Sequence, residues 1–153
     1  MSKSPIKRHY ALRNLSREHH DGLVFALRLQ KGVAKKANLQ SMEEYAAWFW
    51  ENHLLPHFQL EEEQLFPMLK GEYELINEAI TQHQDLKMLF QIQQKSHVDF
   101  KRIYELLQRH IRLEERELFN LIQKTLSEEQ LTAYKKIHKH QQSCAVWQTP
   151  FWT

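Results

Sequence analysis

The chain has 153 residues and a formal net charge of +2, with three glycines, four prolines, one cysteine and ten histidines. A chain of this length can bury one adequate core. So few chain breakers, beside abundant Leu, Gln, Glu, Lys and Arg, exclude a turn-rich β architecture. The 21 basic and 19 acidic residues are interleaved, which argues against a nucleic-acid surface, and the lone cysteine excludes an intrachain disulfide or a thiolate metal cage.

Apolar residues recur at helical spacing in four long stretches. The first is expected over about Ser16 to Lys31, with Leu15, His19, Leu23, Ala26 and Leu27 on one stripe and Gly32 near its end. The second opens at Ser41-Met-Glu-Glu44, which has the form of a capping box, and places Phe49, Trp50, His53, His57, Glu61, Leu65 and Met68 on adjoining rows. Pro56 lacks a backbone donor and should bend it; Pro67 and Gly71 mark its end.

The third stretch covers about Glu72 to Gln94, with Ile76, Ile80, His83 and Phe90 in register. The fourth covers about Asp99 to Lys124, with Ile103, Leu106, Leu107, His110, Glu114, Leu118 and Leu121. A shorter fifth helix is expected from Ser127, with capping chemistry toward Gln130, to about Gln142, followed by a tail holding Trp147, Phe151 and Trp152. No stretch alternates with period two. Long amphipathic helices joined by short loops imply an all-α, up-and-down four-helix bundle. Its core spans about residues 12–124, with the extra helix and tail at 127–153, and 1–153 form a single domain.

The longest apolar runs, Leu23–Leu27 and Tyr45–Trp50, fall far short of a membrane span of ~20 residues. The basic N-terminal residues are not followed by an apolar stretch of signal-peptide type. A soluble, cytoplasmic protein without membrane or nucleic-acid partners is expected, as a monomer or homodimer. The tail is expected to cover either the bundle or a second copy.

The chain also repeats itself. His57-Phe-Gln-Leu-Glu61-Glu62-Glu-Gln-Leu65-Phe66 and His110-Ile-Arg-Leu-Glu114-Glu115-Arg-Glu-Leu118-Phe119 agree at six of ten positions. His19-His20-Asp21 is echoed by His83-Gln84-Asp85. Each half therefore supplies one lone His and one His-x-x-x-Glu.

Residues four apart stand on one helix face, roughly 6 Å apart along the axis. His57 with Glu61, and His110 with Glu114, can thus point together at metal ions. One such pair arises about once by chance in a chain with this many His and Glu. Two in register among core-facing positions, with a core-facing His on each other helix, specify a two-metal site. An ion-free core would have to bury six polar groups at a cost of several kcal/mol each. Imidazole with carboxylate suits Zn, Fe, Mn or Co. No Glu has a His three residues later, so the carboxylate-rich Glu-x-x-His site of ferritin-like bundles is excluded.

The motifs Leu15-Ser-Arg-Glu-His19, His57-Phe-Gln-Leu-Glu61-Glu62 with Leu65-Phe66-Pro67, His83, and His110-Ile-Arg-Leu-Glu114-Glu115 with Leu118-Phe119 resemble the hemerythrin-like HHE cation-binding domain over about Leu12 to Lys124. The resemblance implies a non-haem, oxo- or hydroxo-bridged di-iron centre, with Zn or Mn as substitutes. His19 and His57 would bind one iron, His83 and His110 the other, and Glu61 and Glu114 would bridge. It implies a protein that binds, senses or reacts with a small ligand (O2, NO or peroxide) or handles iron, its redox partner unknown. The alternative is an oxidoreductase, or an iron donor repairing iron–sulfur clusters. The chain departs from oxygen-carrying members at Ala79, where they have a further His, and at Glu114-Glu115, where their bridging Asp lies five residues after its His.

Other residues are weighed beside these six. Matched His-x-Asp triplets favour His19 over its neighbour His20. His53 reads as a supporting or structural histidine near the bundle end. Glu62 and Glu115 face outward or orient the metal ligands. His9, His97, His138 and His140 show no partner pattern and read as surface.

Overall fold

The computed structural model describes residues 7–138 and 150–153. Among them there is no strand, and the all-α bundle expected from periodicity is what forms. A 3-10 turn, Tyr10–Leu12, leads into α1, Arg13–Ala34. α2 spans 39–68 and is composite: an α segment Leu39–Phe49, a π turn Trp50–Leu54, an α segment Leu55–Leu60, a second π turn Glu61–Leu65 and a closing 3-10 turn Phe66–Met68. α3 is Glu74–Phe90. α4 spans 97–125, as His97–Leu113, a π turn Glu114–Leu118 and Phe119–Thr125. α5 is Glu128–Ile137.

Capping chemistry sets the boundaries and corrects two of them. α2 starts at Leu39 because Asn38, not Ser41, is its cap: the Ser41 amide donates to Asn38 Oδ1 at 3.0 Å. α4 starts two residues early because Ser96 and Asp99 form a reciprocal capping box. The expected pairing of Ser127 with Gln130 opens α5. That helix stops at Ile137, ahead of the expected end, with His138 extended. α1 runs through Gly32 and ends where Lys36 takes a left-handed φ of 52° and the Ala37 amide reaches back to Gly32 O at 2.8 Å.

The stripe that α1 buries is Leu15, His19, Gly22, Ala26 and Leu29. Leu23 and Leu27, expected on it, are 41% and 48% exposed, since each lies one residue (about 100°) beyond a buried position. Ile80 is likewise only half-buried, and Ile76, Ala79 and His83 carry the buried face of α3.

The core is divided in two. One cluster contains Phe25, Leu29, Met42, Phe49, Leu86, Phe90, Phe100 and Leu107, with Phe25 stacked on Phe49 at 4.2 Å. The other contains Leu12, Leu15, Leu65, Phe66, Ala79, Leu118, Phe119, Ile122, Leu131 and Tyr134. Burying each large side chain contributes about 1.5–3 kcal/mol. All four long helices pass from one cluster into the other, α1 and α3 across His19 and His83, α2 and α4 between His57 and Glu61 and between His110 and Glu114. Phe151 and Trp152 pack on the first cluster, with the Arg28 guanidinium 4.3 Å from the Trp152 ring centroid, so this end of the tail covers the bundle itself. Trp147, Cys144 and His140 lie outside the described residues.

Candidate metal centre

Between the two clusters the bundle brings together all six residues singled out by spacing. His19, His57, Glu61 and Glu114 offer ligand atoms within 4.8 Å of one another, and so do Glu61, His83, His110 and Glu114. The two carboxylates are common to both groups. None of the six is more than 5% exposed, and Glu61, His110 and Glu114 are wholly buried.

The imidazoles meet in pairs. His19 Nε2 lies 3.2 Å from His57 Nε2, and His83 Nε2 lies 3.1 Å from His110 Nε2. Two nitrogens each ~2.1 Å from one ion, and 90–110° apart around it, would be about 3.0–3.4 Å from each other. The carboxylates complete the pattern. Glu61 Oε1 is 3.4 Å from His57 Nε2 and 3.2 Å from His83 Nε2. Glu114 Oε1 is 2.8 Å from His19 Nε2, and its Oε2 is 3.4 Å from His110 Nε2. Each acid thus comes within 3.4 Å of one histidine of each pair.

Both oxygens of Glu61, and Oε2 of Glu114, are buried without a hydrogen-bond partner. The nearby imidazole nitrogens approach them without hydrogen-bond geometry. A buried carboxylate oxygen left this way costs on the order of 1–3 kcal/mol or more, and a bound cation removes that cost. The donor set therefore fits two metal ions.

Every outward-facing Nδ1 is engaged. It pairs with Glu115 at 2.7 Å for His19, Glu18 at 2.6 Å for His57, Glu62 at 2.7 Å for His83, and Gln82 Oε1 at 2.7 Å for His110. Donation from Nδ1 leaves the Nε2 lone pair directed inward and raises its basicity. Glu62 and Glu115 thus orient the imidazoles rather than joining either group. Glu18 and Gln82 were not singled out from the sequence. The signal was present, because each immediately precedes the lone histidine of its half: Glu18-His19 and Gln82-His83. Stacking holds the rings further, Phe58 on His83 at 3.9 Å and Phe119 on His19 at 5.2 Å.

The π turns place the acids. The amides of Phe66 and Phe119 donate five residues back, to the carbonyls of Glu61 and Glu114. Such single-turn bulges often mark functional sites. The turn at Trp50–Leu54, closed by the Leu55 amide on Trp50 O, precedes Pro56 and accommodates its missing donor. The two repeated segments share one local fault in the helix, at the same residue.

The buried carboxylates and imidazoles shift one another's protonation. Burial and the neighbouring Glu114 charge push Glu61 well above the usual carboxylate range. Burial also opposes ionisation of Glu114, but the His110 charge, the hydrogen bond with His19 and the nearby His83 hold it well below that range. Burial works against a charged His19, yet its bonds to Glu114 and Glu115 raise it to about 10. Burial is likewise outweighed at His83, which contacts with Glu114, Glu61 and Glu62 raise to about 11. Burial prevails at the partners, lowering His57 and bringing His110 down to about 3. Each histidine pair thus favours one positive charge between its rings.

A family model of the hemerythrin HHE cation-binding domain matches residues 10–122. The chain belongs to the hemerythrin HHE family. No curated protein and no solved structure matches it. Family membership makes this a cation-binding bundle, and its buried His and Glu groups are where a cation fits. α5 and the tail lie beyond the matched residues of this hemerythrin-family chain.

The remaining histidines fall into place around this centre. His20 is exposed. His53 belongs to neither group; its ring stacks on Phe49 at 4.8 Å and meets Trp48 edge-on at 5.2 Å. His9 is half-buried, caps the first turn and pairs with Glu128, and half-buried His97 bonds to Ala37 O. His138, expected at the surface, is only 4% exposed: its Nε2 donates to Glu18 Oε2 at 2.8 Å. The end of α5 folds over Glu18, a contact that helical periodicity within α5 does not reveal.

Proposed function

We propose that this hemerythrin-family protein holds a di-iron centre, with His19 and His57 binding one iron, His83 and His110 the other, and Glu61 and Glu114 bridging. The observation that carries the reading is the pair of buried carboxylates, each within 3.4 Å of one histidine of both pairs, with three oxygens lacking hydrogen-bond donors. When bound, such a pair of redox-capable ions supplies Lewis acidity and one-electron chemistry.

The chain's own residues suit a small ligand such as O2, NO or peroxide. A cavity of about 10 Å³, near the size of one water, lies against His19, His57 and His110 and is otherwise walled mainly by Phe49, Leu54, Phe58, Leu107 and Ile111. Gly22 also lines it, and a Cβ there would come within 3.0 Å of Ile111 Cδ1, so the missing side chain helps keep the space open. With two histidines and shared carboxylates at each position, coordination is left for such a ligand. Ala79, fully buried in the second cluster, supplies no further imidazole, which favours sensing or reaction over oxygen carriage. No described helix is long and apolar enough to cross a membrane. The single cysteine fits a reducing, cytoplasmic setting.

The alternative keeps the same centre and makes it catalytic, as an oxidoreductase consuming NO or peroxide or as an iron donor. Metal analysis of protein purified without added metal, with its visible spectrum before and after O2 or NO, tests the reading. Two irons per chain and a stable spectral change support binding, whereas consumption of the ligand with a reductant present supports turnover. Protein that lacks iron and cannot be loaded with it contradicts both.

A further inference from the structure

The outer hydrogen bonds of the candidate centre follow a pseudo-twofold pattern. Glu62 and Glu115 each follow a candidate bridging acid and reach a histidine of the opposite half. Glu18 and Gln82 each precede a lone histidine and reach the second histidine of their own half. The pattern breaks at Glu18. Where the second half has the neutral amide of Gln82, the first has the carboxylate of Glu18, and a further side chain arrives there, as Ser16 Oγ does at 2.9 Å on Glu115 behind His19. His138 donates from Nε2 to Glu18 Oε2 at 2.8 Å, while Glu18 Oε1 accepts from His57 Nδ1 at 2.6 Å. Tyr134, one turn earlier on α5 and fully buried, has its hydroxyl 3.4 Å from His138 Nδ1, which suits the tautomer that donates from Nε2.

We infer that His138 is a positioning residue for the metal centre, acting through Glu18 to fix His57, and that the position between His19 and His57 is thereby the tighter of the two. The physical reason is directional. A carboxylate free to rotate about its last torsions holds a partner imidazole loosely. One pinned at both oxygens presents a fixed acceptor and keeps the His57 Nε2 lone pair on line. His110, backed by an amide, receives less of this support. The contact comes from His138 at the end of α5, beyond the residues matched by the family model. The inference rests on the metal-binding reading above.

Anaerobic titration of metal-free protein with cobalt(II) alone tests it, because the visible spectrum of cobalt reports the geometry of each position as it fills. Wild type should fill in two resolvable steps. His138→Ala should weaken the first step about tenfold, the lower end of the range for supporting residues, shift its spectrum, and leave the second step within about threefold. His138→Gln, whose amide can donate from nearly the same place, should restore the first step. Leu131 and Tyr134 keep α5 docked in each variant, and the melting temperature of the metal-free proteins checks this. Unchanged first steps in His138→Ala, or equal weakening of both steps, would overturn the inference while leaving the metal centre intact. Failure of wild type to take up cobalt would overturn both.

Discussion

His110 donates from Nδ1 to the side-chain oxygen of Gln82 at 2.7 Å, an uncharged partner where the other three candidate histidine ligands meet a carboxylate. Both residues are buried, so no water can readily replace the amide. Gln82→Ala should therefore leave a buried N–H unpaired and destabilise the protein by about 1–3 kcal/mol. It should also weaken metal retention roughly tenfold. Chemical denaturation of the metal-free protein and chelator competition on the loaded protein measure the two effects separately.

Glu61 is expected to trade stability for metal. Its buried oxygens lack donors, so Glu61→Met, of similar size, should raise the stability of the metal-free protein by about 1–3 kcal/mol. The same variant should bind one ion or none. Glu114→Ala should also bind one ion or none, but it should destabilise the metal-free protein, because Glu114 pairs with His19 at 2.8 Å. Full two-metal occupancy in Glu61→Met or Glu114→Ala would refute the bridging assignment.

Protons and metal ions compete for the same nitrogens. His19 is raised to about 10 and His83 to about 11, so both are charged at neutral pH before metal enters. Metal binding at pH 7 should then release roughly two protons from these imidazoles, together with any that Glu61 holds. Affinity should rise with pH across the neutral range and level off above about pH 11. The stability of the metal-free protein runs the other way. A histidine whose folded value exceeds its unfolded value of ~6.5 stabilises most below that pH, and this contribution is lost as pH rises through 10 to 11. Calorimetry in buffers of different ionisation enthalpy counts the protons, and thermal melts follow the stability.

Much of this arrangement was legible in the sequence because a helix converts spacing into direction. The repeat of His57–Glu61 in His110–Glu114 located two helices and four of the six residues that converge, and the echoed His-x-Asp triplets favoured His19 over exposed His20. What spacing could not give was contact across helices. Glu18 and Gln82 share a register with the histidines they precede, but their partners lie on the neighbouring helix. His138 reaches Glu18 from 120 residues away. The π turns were hidden for a different reason, since residues that form a π turn are ordinary helix formers and reveal the fault only by packing. Leu23 and Leu27 misled because a stripe drawn through large apolar residues passes over Gly22, whose buried place on α1 depends on having no side chain.

The tail fits the bundle through one such absence. A Cβ on Gly32 would lie 2.7 Å from the Phe151 ring and 2.9 Å from Met42 Cε. Gly32→Ala should displace the tail and cost about 1–3 kcal/mol, with metal content unchanged. A melt combined with metal analysis checks both halves of this expectation.

The central claim is that six side chains from four helices converge because two cations belong between them. Titrating metal-free protein with iron(II) under anaerobic conditions, while following its melting temperature, tests that claim most directly, since an ion that binds the folded state alone must stabilise it. The account predicts saturation at two ions per chain, with the melting temperature rising through both steps. A melting temperature that stays flat through excess iron, with no ion retained, would contradict it.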